Sequence, residues 1–400
     1  MDDSSASHRS APASSHTGSQ PGRDVPSSLG WLIRDLRSAV GWSQSRLATR
    51  LCEVSAHPTI TREDISRWEN GRRCPGSFWL RHLATALQVP LTTLEEAERM
   101  DRRTFLTDTA ATAIAPLVAS DLISHGFAAA LHARPTAETW QARLAAHGRD
   151  YMRLGAAEVR QRLTADLVVL QQQLDEPALW DVAARLMTLY GKTFPGADGA
   201  KAITWYRMAA HAADRSGDAA TKVWVRGRAA IALGYEGASL PVADMFAAQA
   251  LALDGRPSTG RLNAIMGKAH AAAIRGDHRV ALDLLSQGRR VFDVAGSPDS
   301  EESDYAVPWW RMNVFVSLLA ARLGEEKLAG TAYDAALASL PVSMPRFRTH
   351  LEMHRGLMLA RAGDRTGGAA YAREALGKLP PDKHSLTLRM LLAEIENHQP

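Results

Sequence analysis

One spacing pattern near the end of the 400-residue chain constrains its fold more than any other feature. A glycine, a run of small residues, an Ala-Leu pair and a proline recur in the same order at a constant offset of 39 residues. The first copy contains Gly324-Glu325-Glu326, Ala329, Tyr333, Ala336-Leu337 and Pro341, and the second contains Gly363-Asp364-Arg365, Gly368, Ala372, Ala375-Leu376 and Pro380. Glycine suits the turn of a helical hairpin, small residues let helices cross closely, and proline ends a helix. The pattern therefore predicts stacked helical hairpins, with a looser copy beginning at Gly276.

The rest of the C-terminal part is also helical in pattern. From about Thr136 the chain is a succession of Ala/Leu-rich stretches separated by Gly, Asp and Pro, with almost no strand-like alternation. Over roughly residues 176–397 it resembles the tetratricopeptide repeat, with longer spacings and an incomplete first-helix signature, since Trp309 and Trp310 occur in one unit only. The resemblance implies an all-α chain in which residues 136–400 form a tetratricopeptide-like helical-hairpin solenoid for sensing or interaction. Glycine and aspartate turns alone would fit any helical bundle.

Such a solenoid presents a concave groove formed by the first helix of each hairpin. Counting back from each turn glycine gives seven candidate groove residues: Asn263, Met266, His270, Arg311, Val314, His350 and Met353. Polar groups among apolar contacts suit an extended peptide, a small amphipathic molecule or a protein segment. For each residue taken alone, ordinary packing or solvation is the simpler explanation.

The stretch from Thr61 to Gly71 predicts a short helix that presents polar side chains outward. Thr61 is a suitable N-cap, and Asp64 three residues later completes a capping box. Ile65 and Trp68 form one narrow apolar stripe, and Gly71 ends the helix. The stretch alone also fits a solvated helix edge, so its neighbours decide the interpretation.

The neighbouring stretches predict a five-helix domain. The other helices are expected from Leu29 to Val40, from Gln44 to Leu51, through Phe78, Trp79, Leu83 and Leu87, and from Leu94 to Met100. The matched residues are Ser43-Gln44, Leu47-Ala48, Ile65-Ser66-Arg67-Trp68-Glu69-Asn70-Gly71, Pro75, Leu83-Ala84 and Ala86-Leu87. In this order they resemble the Cro and lambda-repressor class of helix-turn-helix, the XRE family of bacterial regulators, over about residues 29–100.

The resemblance implies that the third helix of this domain enters the major groove of DNA. It places four side chains at base-facing positions: Arg62, Glu63, Ser66 and Arg67. It places six side chains near phosphates: Ser43, Gln44, Thr61, Asn70, Arg72 and Arg73. Arginine can donate two hydrogen bonds to guanine, and glutamate can accept one from cytosine. The resemblance also implies a partly buried ion pair between Arg37 and Glu69. One departure is the connection from Leu51 to Thr61, which is longer than the usual tight turn.

The distribution of charge supports this assignment. Residues 29–90 contain nine arginines and five acidic residues, an excess of four positive charges that equals the formal net charge of the whole chain, +4. A local basic surface on an otherwise balanced protein is typical of a DNA-binding domain. The preference for arginine over lysine can reflect genome composition, but that does not explain where the arginines lie.

The remaining segments carry weaker signals. Residues 1–28 are rich in Ser, Ala, Pro and Gly and predict a disordered tail without the pattern of a signal peptide. Residues 101–135 contain Arg102-Arg103 followed by an Ala/Thr-rich run, which resembles a twin-arginine signal, but their internal position favours a helical linker. The two cysteines form no metal or redox motif, and we expect a cytoplasmic protein without membrane contact.

Signals for catalysis are poor. The pair His350 and His354 lacks the glutamate position and third ligand of a zinc site, and no nucleotide-binding or nucleophile motif is evident. We therefore expect no metal, no cofactor and no enzymatic activity. The sequence predicts a DNA-binding transcriptional regulator that acts on double-stranded DNA as a homodimer and responds to a ligand or partner. The alternative is an interaction scaffold whose helix-turn-helix is a docking module.

Overall fold

The structure is a computed structural model that describes residues 28–91, 93–95, 97–98, 135–194 and 199–397. These residues form helices and connecting loops, and no strand occurs among them. The all-α fold class is confirmed: an N-terminal helix-turn-helix domain is followed by a domain of helical hairpins. The predicted tail and linker lie outside the described residues, except for the last residue of each.

Up to residue 90, the N-terminal domain forms α1 (Ser28–Ala39), α2 (Gln44–Ser55), α3 (Arg62–Glu69) and α4 (Ser77–Leu87). Where the sequence predicts a short fifth helix, the described residues between 91 and 98 are helical. The inward residues meet in one core: Leu32, Ile33, Leu36, Leu47, Leu51, Ile65, Leu83 and Leu87. Ala48 is also buried, as expected for a position where a neighbouring helix crosses closely.

Two boundaries differ from the sequence prediction. Helix α2 runs four residues beyond Leu51, so part of the long connection is an additional helical turn that ends at Ala56 with φ of 54°. The predicted apolar stripe of α4 is only partly right, because Phe78 is 37% exposed. Its ring packs edge-on against His57, with centroids 5.4 Å apart, so Phe78 supports the connecting loop rather than the core.

The C-terminal part consists of helices that pair in sequence order. They are α5 (Ala137–Arg153), α6 (Ala156–Leu170), α7 (Leu179–Gly191), α8 (Gly199–Ser216), α9 (Ala219–Glu236), α10 (Leu240–Leu253), α11 (Thr259–Ile274), α12 (His278–Ala295), α13 (Trp309–Leu323), α14 (Glu326–Ser339), α15 (Pro345–Arg361), α16 (Arg365–Gly377) and α17 (Leu386–Glu396). Short 3-10 turns lie at Gln171–Gln173 and Pro381–Lys383.

The predicted hairpin turns are confirmed. Gly276, Gly324 and Gly363 follow α11, α13 and α15, and their φ angles of 81°, 74° and 104° lie in the region that favours glycine. Pro341 and Pro380 follow the ends of α14 and α16, as the 39-residue pattern predicts. The repeated residues therefore mark real hairpin boundaries.

Helices α9 and α11 cross with their backbones in contact. A Cβ atom on Gly227 would lie 1.9 Å from the carbonyl oxygen of Gly260, and one on Gly234 would lie 2.4 Å from that of Gly267. Such approach is possible only for residues without a side chain. The two glycine pairs thus fix the contact between these neighbouring hairpins.

The hairpins curve until distant elements meet. Thr387 of α17 donates a hydrogen bond of 2.9 Å to Glu236 of α9, and Arg346 of α15 donates one of 2.7 Å to the backbone oxygen of Tyr151 in α5. The amide of Asp304, in the loop before α13, donates to the oxygen of Gly148 in α5 at 3.0 Å. The C-terminal hairpins therefore close against the first ones.

The helix-turn-helix domain packs on the side of this arrangement. Helix α1 lies against α8 and α10, and residues from these helices belong to one hydrophobic cluster. Asp35 of α1 is buried and pairs with Arg207 of α8, while Arg275 donates to the side chain of Gln88 at 2.9 Å. Burial raises the pKa of Asp35 although Arg207 acts in the opposite direction. The two domains therefore share two polar contacts and an apolar one.

Across the described residues, no helix is long and apolar enough to span a lipid bilayer.

Candidate nucleic-acid interface

Helix α3 separates its buried and exposed faces sharply. Ile65 and Trp68 are fully or almost fully buried, whereas the side chains of Arg62, Glu63 and Arg67 are 64%, 63% and 57% exposed. The predicted capping box is present, and both the amide and the hydroxyl of Thr61 donate to the Asp64 carboxylate, at 3.1 and 2.9 Å. The helix therefore begins at a fixed point and presents its polar side chains to the surroundings.

Three exposed cations on and after α3, Arg62, Arg67 and Arg73, form long ion pairs with neighbouring carboxylates. Arg62 lies 3.8 Å from Glu63, Arg67 lies 3.7 Å from Asp64, and Arg73 lies 3.9 Å from the same Asp64 carboxylate. Exposed pairs at such distances contribute little to stability, roughly 0–1 kcal/mol. The guanidinium groups can therefore exchange these partners for a polyanion at little cost.

Asn70 and Ser66 are engaged with one another. The Asn70 amide group donates to the backbone oxygen of Ser66 at 2.9 Å and to its hydroxyl at 3.3 Å. This contact closes the last turn of α3. The Ser66 hydroxyl keeps hydrogen-bonding capacity because it acts here as an acceptor. The predicted DNA contacts of both residues stay predictions.

Glu69 is the fixed point that holds α3 to α1 and α2. Its carboxylate is fully buried and accepts from Arg37 at 2.6 and 3.1 Å and from Gln44 at 2.8 Å. The Arg37–Glu69 ion pair implied by the family resemblance is thus confirmed. Gln44, an expected phosphate contact, uses its side-chain amide for this internal bond.

Ser43 and the residues after α3 complete the surface. The Ser43 hydroxyl caps α2 by accepting from the amide of Arg46 at 3.1 Å. Gly71, Arg72 and Arg73 are exposed, and the amides of both arginines donate to the backbone oxygen of Arg67, which folds this segment back over the end of α3. The structure therefore brings the ten predicted DNA-contacting residues onto α3 and its two flanks, while their roles on DNA stay predictions.

The seven predicted groove residues lie in two settings. Arg311, Val314 and His350 line a cavity between α9, α13, α15 and α17. Asn263, Met266, His270 and Met353 are buried and do not line that cavity. Lys192, Arg228 and Arg346 line it too. The sequence pattern does not indicate them, because they lie far apart in the chain and outside the positions counted back from the turn glycines. Ligand binding by any of these residues stays a prediction.

The paired histidines of α15 are enclosed by protein groups. His354 lies 3.0 Å from the Tyr235 hydroxyl, and burial lowers the pKa of both His350, to about 3, and His354. Among the described residues, no three metal-ligating side chains come together.

Comparison with known proteins agrees with the N-terminal geometry. Residues 28–97 match a family described as a helix-turn-helix domain. A comparison with curated proteins gives no significant sequence match. Among solved structures, the chain is similar to Bacillus thuringiensis PlcR in complex with the peptide PapR7 and DNA, with 13% identity, 81% of this chain and 98% of that chain covered, and a TM-score of 0.34. A TM-score this low does not establish a common arrangement of helices.

Proposed function

Because residues 28–97 form a helix-turn-helix domain, we propose that the chain is a sequence-specific DNA-binding transcriptional regulator of the XRE type. The observation that carries this proposal is the geometry of α3. Its apolar face and Glu69 are buried, while Arg62, Glu63 and Arg67 extend outward on a pre-ordered helix. Pre-ordered arginine and glutamate side chains on one helix face suit the edges of bases in a major groove.

We propose that the protein acts as a homodimer in the cytoplasm. One domain of this size contacts only a few base pairs, and two-fold pairing on a palindromic or repeated site is the usual way to gain specificity. The proposal assigns no catalytic step and no cofactor to the chain.

We further propose that the tetratricopeptide-like helical hairpins control the DNA-binding domain in response to a ligand or partner. Support comes from the packing order of the helices. Helix α1 lies on α8 and α10, and α9 packs against both of these helices. Arg228, Ile231 and Tyr235 of α9 line the central cavity, which is the cavity between α9, α13, α15 and α17. A ligand that favours one position of α9 would thereby favour one orientation of α3.

The test of DNA binding is selection of sequences from a random pool by the full-length protein at near-physiological salt, followed by mobility shifts. Arg67→Ala should cost about 1–3 kcal/mol at one base position and relax selectivity there. Arg73→Ala should weaken all sequences alike and lower the slope of log affinity against log salt by about 1.

Arg279→Ala is the matched control, because this α12 arginine is 95% exposed and lies in the hairpin domain. It should leave both selectivity and salt dependence unchanged. Enrichment of a two-fold or repeated motif would support the regulator. Absence of enrichment, or unchanged binding by Arg67→Ala and Arg73→Ala, would refute the assignment of α3 and favour the interaction scaffold.

A further inference from the structure

A cluster of buried cations lies where the hairpins close. The carboxylate of Asp304 is contacted by Lys192 at 2.5 Å, by Arg228 at 2.6 Å and by Arg311 at 2.9 Å. All four side chains are buried, with exposed fractions of 6% or less. Although burial raises it, the pKa of Asp304 is held well below its ordinary range by Arg228, Lys192 and Arg311. One carboxylate therefore faces three cations.

A fourth cation, Arg346, adds to this excess. Its guanidinium donates to the backbone oxygen of Tyr151 and lies 5.1 Å from that ring and 5.5 Å from the ring of Phe347. No carboxylate in the described part of the chain lies within ion-pair distance of Arg346. The Nε atom of Arg311 is buried and has no hydrogen-bond partner among the described residues.

The cations face a cavity rather than solid core. Lys192, Arg228, Arg311 and Arg346 all line an inner cavity of about 70 Å³, and Glu236 is the one acidic residue among the described residues that line it. A neighbouring cavity of about 260 Å³ shares Tyr151, Lys192, Glu236, Arg346, Ser385 and Thr387 with it. The charged residues that it adds are Arg160, Arg389 and Asp382, so four cations and two acidic residues line it. Both walls are therefore dominated by positive charge.

Glu236 offsets only part of this charge near neutral pH. Burial raises its pKa to about 7, even though Thr387, Lys192 and Arg228 act in the opposite direction. Burial also lowers the pKa of Lys192, and the nearby Arg228 lowers it further, despite the ion pair with Asp304. Holding like charges together away from water destabilises a protein, so the arrangement calls for a compensating anion.

The rest of the inner wall is apolar. Ile231, Val314, Phe315 and Phe347 line the same cavity as the four cations. A ligand pocket with apolar walls and a few convergent charged groups is typical of a small-molecule site. The inner volume of about 70 Å³ accommodates a small charged group, and the neighbouring volume of about 260 Å³ leaves room for a short apolar extension.

We propose that the inner cavity binds a small amphipathic organic acid. Its carboxylate contacts Arg311, Arg346 and Lys192, its first apolar atoms lie against Phe315 and Phe347, and the rest of its apolar part extends into the neighbouring cavity. This inference deepens the proposed function, and it rests on that function only for the claim that the ligand controls the DNA-binding domain. Binding itself requires neither DNA nor the helix-turn-helix domain.

Isothermal titration calorimetry of the full-length protein without DNA tests the proposal. The probes are phenylacetate, its uncharged counterpart phenylacetamide, and inorganic phosphate, each at up to about 10 mM. Phenylacetate should bind at least about tenfold more tightly than phenylacetamide, because only the acid forms charge-assisted hydrogen bonds with the guanidinium groups. It should also bind more tightly than phosphate, which lacks the apolar part.

Arg346→Met should weaken phenylacetate binding by about tenfold or more, and Arg279→Met, on the exposed face of α12, should not change it. Equal binding of acid and amide, equal or tighter binding of phosphate, or absence of phenylacetate binding would overturn the proposal. These comparisons on the wild-type chain hold even where a variant fails to fold. Because the calorimetry contains no DNA, a negative calorimetric result does not affect the result of the DNA selection. A negative DNA selection likewise does not affect the calorimetric result.

Discussion

The carboxyl group of Glu236 makes the stability of the chain depend on pH in a way that one substitution can isolate. It lies at the end of α9, lines the central cavity and accepts a hydrogen bond of 2.9 Å from Thr387. Glu236→Gln keeps the shape of the side chain and an oxygen that accepts from Thr387. It removes the charge at every pH.

The magnitude follows from the shift in pKa from the ordinary value of 4.5 to about 7, caused by burial. Between these values the folded chain binds a proton at Glu236 that the unfolded chain releases. The free energy of unfolding therefore falls as pH rises from 4.5 to about 7, and this contribution levels off above that pH. The shift corresponds to roughly 3 kcal/mol when fully expressed.

Urea unfolding of wild type and Glu236→Gln at pH 8 and at pH 4.5–5 measures this effect. At pH 8 the variant should be more stable by about 1–3 kcal/mol, the lower end allowing for partial solvation through the cavity. Near pH 4.5 the two proteins should have equal stability, because wild-type Glu236 is then protonated. A variant that is less stable at pH 8, or a difference that does not change with pH, would refute the assignment of a charged, desolvated Glu236.

Two further predictions concern packing. Glu69→Gln leaves the partly buried guanidinium of Arg37 uncompensated. It should lower the stability of the helix-turn-helix domain by about 3–5 kcal/mol in chemical unfolding, and lower DNA affinity as well. The control Glu53→Gln removes an exposed ion pair and should cost less than about 1 kcal/mol; equal effects of the two substitutions would contradict the role of Glu69. Gly227→Ala places a Cβ atom 1.9 Å from a carbonyl oxygen of the facing helix and should lower the thermal unfolding temperature, whereas Gly330→Ala, in a helix with nothing within 4 Å, should raise it; stabilisation by Gly227→Ala would show that the α9–α11 contact is not tight.

The features that the sequence predicts best depend on near neighbours in the chain. The Thr61–Asp64 capping box and the turn glycines Gly276, Gly324 and Gly363 are local patterns, and the structure contains them all. The Arg37–Glu69 pair spans 32 positions, and only its resemblance to a known family made it predictable. The sequence prediction ends α2 at Leu51, the last inward apolar residue, whereas the helix continues to Ser55. No strong stop or start signal between residues 52 and 55 marks its true end.

The cation cluster could not be predicted from local pattern. Asp304 lies in a loop of Ser, Pro, Asp and Glu that reads as solvated, yet it is buried because α5 and α13 close over it. Its partners come from positions 192, 228 and 311, and only curvature of the whole hairpin array brings these together. Arg311 was selected for its place in a hairpin, but nothing in its surroundings indicated an ion pair.

The closure of the hairpins also bears on how the chain folds. In an open solenoid each repeat contacts only its neighbours, so repeats can unfold one after another from either end. Here Thr387 contacts Glu236, 151 positions earlier, and Arg346 contacts Tyr151, 195 positions earlier. Contacts of such high sequence separation form late in folding and make folding slow, because long loops must close before these contacts can form. They also tie the last hairpin to the first, so that fraying at one end is opposed by the other, and the array should lose its structure in one cooperative step.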